Sequence, residues 1–358
     1  MAERRRRLVL AAIPGLAILA GIFLVVAMIS LSGTSGWGFD FEAYFLAAMR
    51  LARGDAIYLA QTLSGPFRPG PYGLYLYAPP LAAALVPLTA LSLPAAAAVW
   101  AGFRVLLLAV TCLLMPVSRH VRLATFAVAA VSSAVLNDLH LGNVSILVAF
   151  LSVVTWRWLD RPLGAAGLAM ALFVRPTMGL VLIWSLLRRQ WRPVLWTALI
   201  ALIVVAATLP LVGVQSYFDY LRVLTNVSDV TGVAKDLDLG STVLGLGAGA
   251  TAATIALFGG YAIAIVAIVA STRRDRETGY VVTLGATLLA APLLWDHYLV
   301  WLIIPAAFLA QRGRPWAIAL PLLSWLPAPL VPLLVIVGTL LPFAARPRPL
   351  SPITAHPA

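Results

Sequence analysis

Apolar runs long enough to cross a bilayer recur along this chain from its N-terminus almost to its end. A bilayer core takes about 20 apolar residues per helix. In hydrocarbon the backbone must satisfy its own polar groups, so such runs fold as helices. Hydrophobic residues make up 62% of the chain, charged residues 11%, and the mean hydropathy is +0.97. A soluble globular domain is excluded. The pattern predicts an all-α polytopic membrane protein of about 10–12 membrane helices. It fills residues 1–345 as one multi-spanning domain, and a Pro- and Arg-containing tail over 346–358 is predicted to be disordered.

Charge orients the chain. Glu3-Arg4-Arg5-Arg6-Arg7 precedes an apolar run from Leu8 to Leu31. That run exceeds the roughly 7–15-residue core of a cleaved signal peptide. It reads as an uncleaved first span with its arginines in the cytoplasm. A net charge of +12 is of the size seen in nucleic-acid-binding chains. The arginines instead fall in short loops (119–122, 157–161, 188–192, 273–276, 312–314), as the positive-inside rule expects. Between Arg161 and Arg188 lie only 26 residues, with Arg175-Pro176 at their centre. Two helices of about 12 residues reach only ~18 Å each. The segment therefore reads as a re-entrant hairpin with Arg175 at its tip, and irregular backbone at depth is tolerated where it lines a cavity. The runs 78–93 and 95–115 leave open which of them crosses. Cys112 is the single cysteine, so neither an internal disulfide nor a cysteine metal cluster can form.

Two stretches, 32–73 and 214–241, are longer than turns and do not span; the first is expected on the extracytoplasmic side. From Asp40, residues Phe41, Tyr44, Phe45, Ala48, Leu51 and Ala52 share one helical face, with Glu42, Arg50 and Arg53 opposite. Such a helix should lie along the membrane surface until Gly54 ends it. Asp40 has two compatible readings, an N-cap or a catalytic carboxylate. Trp295-Asp296-His297-Tyr298 lies between apolar runs and puts a carboxylate beside an imidazole, as does Asn137-Asp138-Leu139-His140 with Gly142-Asn143 close behind. Ionisable groups in such places are functional candidates by default. Cations on that side are few: Arg50, Arg53, Arg68, Arg222, Lys235 and the hairpin's Arg175. Arg forks and Lys point charges both suit phosphate. There is no metal motif beyond a weak Asp236-Leu237-Asp238 pair, and neither a Walker loop nor a Rossmann fingerprint, so no metal, cofactor or nucleotide is expected.

Asp40-Phe41-x-x-Tyr44, Gly54-Asp55-x-x-Tyr58, Tyr77-Ala78-Pro79-Pro80, Leu141-Gly142-Asn143, Arg175-Pro176 and Trp295-Asp296-His297 come in an order that resembles glycosyltransferase family 87. This family contains polyprenyl-phosphate-mannose-dependent α-mannosyltransferases of the multi-spanning C-type superfamily. The resemblance implies a C-type bundle with outer-side juxtamembrane helices, in a multi-pass protein of the cell membrane whose active site faces the extracytoplasmic side. It implies inverting transfer of a sugar, with mannose expected, from a polyprenyl phosphate to a lipid-linked glycan or glycolipid. Asp40 matches the family's catalytic base. His297, Arg175, Lys235 and Asp296 are then the expected donor phosphate or sugar contacts, and Tyr44, Tyr77, Asn143 and Trp295 are expected to line the acceptor pocket. The rival reading is a lipid or sugar transporter or flippase. Such proteins tend to carry internal repeats, and none is visible in this sequence.

Overall fold

The computed structural model describes residues 2–64, 74–228, 237–326 and 338. The described residues are helical and contain no strand. The first span, α1 (Ala2–Leu31), is followed by α2 (Phe39–Ala52) and the single turn α3 (Ala60–Leu63). Pro79-Pro80 open α4 (Pro79–Leu85), where the first turn needs no amide donor. A 3₁₀ turn at Val86–Ala90 then leads to α5 (Leu93–Leu114). The run from 78 is an α-helix of seven residues that passes directly into a 3₁₀ turn of five containing Pro87, while α5 has 22 residues and the length to cross.

Next come α6 (Arg119–Ala130) and α7 (Ser133–Leu141), bent by 62° at the break between them. Then α8 (Ser145–Arg157), α9 (Pro162–Val174) and α10 (Gly179–Leu187) follow. α11 (Trp191–Ser228) is interrupted at Gly213, whose φ of 73° and ψ of 155° lie outside helical geometry. The second non-spanning stretch, expected from residue 214, begins at that break. α12 (Leu239–Gly245), α13 (Ala250–Ser271), α14 (Arg276–Leu289) and α15 (Ile303–Gln311) complete the α-helices. Two further 3₁₀ segments cover Asp296–Leu302 and Pro315–Trp325.

Four helices are long and apolar enough to cross a bilayer, or five if the bent α6–α7 pair counts as one. α1, α11 and α13 leave Ile18, Leu19, Leu202, Ile255 and Val266 more than half exposed, as a lipid-facing surface should. The remaining apolar helices are short and arranged in hairpins. α9 and α10 form the hairpin expected around Arg175. Asp160, just before α9, pairs with Arg276, and Arg188 after α10 donates to the carbonyls of Thr272 and Arg274 at 2.8 Å. Both limbs thus return to the same loop.

That loop belongs to one end of the bundle, where every described basic loop gathers. Arg312 reaches Asp275 and Glu277, Arg157 donates to the Leu114 carbonyl, and Gln311 accepts from the Ser118 amide. The opposite end is built by α2, the end of α7, the hairpin tip and the Trp295–Tyr298 turn.

Two expectations change, and a third is not reached. α2 does not lie apolar face down on a membrane surface; Phe41, Tyr44, Phe45, Ala48 and Leu51 are buried against α4, α5 and α7. Ala52 is exposed, because the helix turns off at Arg53 and Gly54. The tail over 346–358 lies outside the described residues.

Candidate active site

Asp40 sits in the first turn of α2 but does not cap it. The N-cap is Gly38, in the left-handed region at φ 73°, and its amide is taken by the His140 carbonyl at 2.8 Å. The carboxylate points inward instead, and Oδ2 accepts from Asn143 Nδ2 at 2.7 Å.

Asn143 can present its amide because everything around it is tied. Its Oδ1 accepts from the amides of Val144 (2.7 Å) and Ser145 (3.1 Å) and from Ser145 Oγ (3.0 Å). An oxygen so occupied leaves only the NH₂ facing Asp40. The preceding Gly142 closes α7 at φ 79°, and a Cβ there would sit 2.5 Å from Phe41 Cβ. Only glycine allows both that conformation and that approach. Trp100 Nε1 holds the Gly142 carbonyl at 2.9 Å while its ring stacks on Phe41.

Beneath this turn lies an ion pair. Arg104 and Asp138 are 1% and 0% exposed, with Nη1 and Oδ1 3.2 Å apart. Arg104 also donates to the carbonyls of Asp138, Leu139 (3.1 Å) and Asn143 (3.5 Å), the first of which already accepts from the Gly142 and Asn143 amides. Asp138 Oδ2 accepts from the Ser145 amide at 2.9 Å.

The Trp295–Tyr298 turn approaches from another direction. Asn137 Nδ2 grips both Asp296 oxygens, at 2.7 and 2.9 Å, and the His297 amide donates to Oδ1 at 2.8 Å. His297 is buried, with Nδ1 3.4 Å from Asp296 Oδ1, and neither ring nitrogen makes a hydrogen bond among the described residues. Its ring stacks on Trp295 at 6.2 Å and meets Tyr298 edge-on at 4.8 Å. Arg175 is also buried. Its guanidinium lies 3.3 Å above the Tyr298 ring and 5.1 Å from that of Trp301, and no described carboxylate pairs with it. Tyr44 and Tyr77 share a hydroxyl contact of 3.0 Å, and Tyr58 Oη donates to the Tyr77 carbonyl at 2.7 Å. The Tyr77 phenol lies within electrostatic reach of Tyr298, Asp40 and Arg175.

Burial raises the Asp40 carboxyl above its ordinary value. The His297 imidazole, the Asn143 hydrogen bond and the Arg104 charge offset that only in part. Burial would raise Asp296 as well, but its contacts with His297 and Asn137 hold it below the ordinary carboxylate range. Two neighbouring carboxylates are thus pushed apart, one toward a proton acceptor and one toward a permanent charge.

The structure therefore gathers eight of the nine singled-out residues: Asp40, Tyr44, Tyr77, Asn143, Arg175, Trp295, Asp296 and His297. Lys235, the ninth, lies outside the described residues. Asn143 is buried and bonded to Asp40, so it supports the carboxylate instead of lining an open acceptor pocket. Sequence reasoning missed the roles of Arg104, Asn137 and Asp138. Arg104 carried a signal, as the only charge in the 22 residues of α5. Asp238, half of the weak acidic pair, caps α12 through the amides of Gly240 and Ser241 at 2.6 and 3.0 Å.

Compared with known proteins, residues 75–295 match the family model of glycosyltransferase family 87. Those residues run from the tyrosine cluster to Trp295 and take in both limbs of the Arg175 hairpin. No curated protein and no solved structure matches the chain.

Proposed function

The chain belongs to glycosyltransferase family 87 and is a multi-pass membrane glycosyltransferase; from that premise we propose that it moves a sugar from a polyprenyl phosphate to a lipid-linked hydroxyl acceptor at its Asp40 end. The observation that carries this reading is Asp40 within electrostatic reach of a buried His297, whose Nδ1 faces Asp296 and whose Nε2 has no hydrogen-bond partner among the described residues. A reacting hydroxyl and a phosphate can each find a partner there.

The chemistry is a single displacement. Asp40 takes the proton of the acceptor hydroxyl as its oxygen attacks the anomeric carbon. The bond from that carbon to the phosphate oxygen breaks on the opposite face, and the configuration inverts. A β-linked mannosyl phosphate gives an α-mannoside. A base within about 2.6–3.2 Å of the hydroxyl, with a pKa nearer the working pH than an ordinary carboxylate, is the efficient arrangement. Asn143 orients Asp40 without neutralising it. The leaving phosphate bears the developing charge. His297 can donate to it, Arg175 can offset it from its seat on Tyr298, and Lys235 is assigned the same task. Asp296, held charged by Asn137, orients His297. Tyr44, Tyr77 and Trp295 supply rings and hydroxyls for the sugar or acceptor. A lipid-borne donor needs no nucleotide fold and no cofactor.

The test is purified protein in liposomes with radiolabelled polyprenyl-phosphate mannose and an envelope lipid extract. Labelled glycolipid supports the reading. Label crossing the bilayer without product would make the protein a transporter. Product only from donors bearing another sugar would keep the class and change the specificity. The site is assigned to the extracytoplasmic face because the arginine loops collect at the other end. In a Cys112→Ser background, Ser64→Cys should react with an impermeant thiol reagent in intact cells, and His120→Cys only after permeabilisation. The reverse pattern would invert the protein.

A further inference from the structure

We infer that the buried Arg104–Asp138 pair is a positioning device for the reaction: acting through Asn143, it fixes where the Asp40 carboxylate stands. The inference rests on Asp40 being the base.

The geometry runs in one line. α5 crosses the bundle and buries a single charge, Arg104, at 1% exposure. A lone guanidinium inside an apolar helix is expensive unless its donors are used, and here both terminal nitrogens are used while Nε has no partner among the described residues. Here it is spent on one short segment, the carbonyls of Asp138, Leu139 and Asn143 together with the Asp138 carboxylate. These are the end of α7 and the turn after it. Asp138 completes the grip from inside, since its second oxygen takes the Ser145 amide. Ser145 in turn holds the Asn143 oxygen through both amide and hydroxyl. The Asn143 side chain therefore has one orientation, and its NH₂ has one described partner, Asp40 Oδ2.

A purely structural pair would be replaceable by apolar side chains with little loss. This one is tied to the site in a second way, because the Arg104 charge itself acts on Asp40. The other groups that act on Asp40 are His297 from the Trp295–Tyr298 turn, Asn143 from the α7–α8 turn, and the phenols of Tyr44 on α2 and Tyr77 before α4. Of these, Asn143 is bonded to Arg104, through its carbonyl at 3.5 Å. Arg104→Lys keeps a positive charge but cannot span three carbonyls and a carboxylate, since an ammonium lacks the planar fork.

The experiment compares purified Arg104→Lys, Asp138→Asn and Asn143→Ala with wild type, using polyprenyl-phosphate mannose as donor. Turnover, donor KM and the pH profile of kcat/KM are read for each. Misplacing a reacting group by about 1 Å can cost ~10²-fold. Arg104→Lys and Asp138→Asn should lower kcat by about that factor, as Asn143→Ala does, with donor KM within about twofold of wild type. Arg104→Lys and Asn143→Ala should move the acidic limb of the profile to higher pH, because each weakens the support of the Asp40 anion, whereas Asp138→Asn removes a negative charge and should not move it that way. A merely structural role would lower the melting temperature and leave the profile where it is. That result in Arg104→Lys overturns the inference, as does failure of both Arg104→Lys and Asp138→Asn to fold. Asp40→Asn separates the two readings. If it turns over normally, the base assignment falls. If it is inactive while Arg104→Lys keeps the wild-type kcat and profile, only the positioning inference falls.

Discussion

The two ends of the bundle carry the same kinds of side chain and treat them in opposite ways. At the arginine end each described acid of the loops meets a guanidinium: Asp160 with Arg276, and Asp275 and Glu277 with Arg312. These pairs are substantially exposed, so each charge is cancelled by its neighbour and screened by solvent. At the other end the carboxylates of Asp40 and Asp296 are held by the amides of Asn143 and Asn137. Arg175 lies on aromatic faces, and the His297 ring, packed between Trp295 and Tyr298, has no hydrogen-bond partner for Nε2 among the described residues. An amide fixes direction without neutralising charge. An aromatic face steadies a guanidinium and leaves its nitrogens free for an anion. The arginine end is built from interactions complete in themselves, and the Asp40 end from interactions a ligand would complete.

That contrast is most easily broken at Asp40. Asp40→Asn preserves the shape of the contact with Asn143 but removes the proton acceptor. General-base assistance is typically worth ~10²–10⁴-fold. Turnover should fall by that much while the melting temperature stays within a few degrees. Wild-type activity must decline as pH falls through the raised Asp40 value, since only the ionised form accepts a proton. The remaining activity of Asp40→Asn should lack that limb. Asp160→Asn, the matching change at the arginine end, should leave turnover unaltered. Loss of activity there, or its retention in Asp40→Asn, would remove the distinction between the ends.

His297 tests the second half of the contrast. A hydrogen bond to a charged group contributes about 1.5–3 kcal/mol, and about 1.4 kcal/mol corresponds to tenfold. His297→Ala should therefore cut kcat/KM by roughly 10–100-fold. His297→Gln should recover part of it, because a neutral donor survives. Unchanged acceptor selectivity would place the effect on the phosphate side. If His297→Ala turns over donor like wild type, the turn only separates two helices.

How much of this was legible in the sequence follows the same division. The helical class, the hairpin around Arg175 and the gathering of arginines were readable, because apolar length and charge bias are local properties of a segment. The polar turns containing Asp40, Asn143 and Asp296 were readable as places where charge sits beside an apolar run. Their partners were not. Asn143 reaches Asp40 across 103 positions, and Asn137 reaches Asp296 across 159. No periodicity encodes such a contact. Asp40 was ambiguous because an acid just before a helix satisfies the cap and the catalytic pattern equally; only the left-handed Gly38 separates them. Arg104 was visible as an isolated charge in α5, and its purpose needed α7 beside it.

Arg175 sits between the extremes. Seated on Tyr298 and Trp301, it is stabilised without an acid among the described residues. Arg175→Leu should leave folding largely intact, since the rings can pack against leucine, and should raise donor KM by about tenfold, the loss of one modest ionic contact. Arg175→Lys should fall between, because a point charge remains without the fork. A Leu variant with wild-type donor KM would make Arg175 a packing residue.

The smallest effect belongs to the arginine end and is read as stability, not activity. Partial burial alone would raise Asp275, but the hydrogen bonds from Arg312 and Thr278 and the Arg312 charge outweigh it and hold the carboxyl at about 2, against an ordinary 3.8. A depressed folded value means that the folded state prefers the anion. The stabilisation is present in full above the unfolded value and disappears as pH falls from about 4 through about 2. Exposed ion pairs of this kind contribute only ~0.2–1 kcal/mol. Asp275→Asn should lower the melting temperature at neutral pH by no more than a few degrees, and the gap to wild type should close as the pH approaches 2. Added salt should shrink it too, because the pair is open to solvent. Turnover should not move, since Asp275 lies at the end of the bundle away from Asp40. A change in turnover with unchanged stability would mean that the two ends communicate, and the division between folding charge and working charge would have to be redrawn.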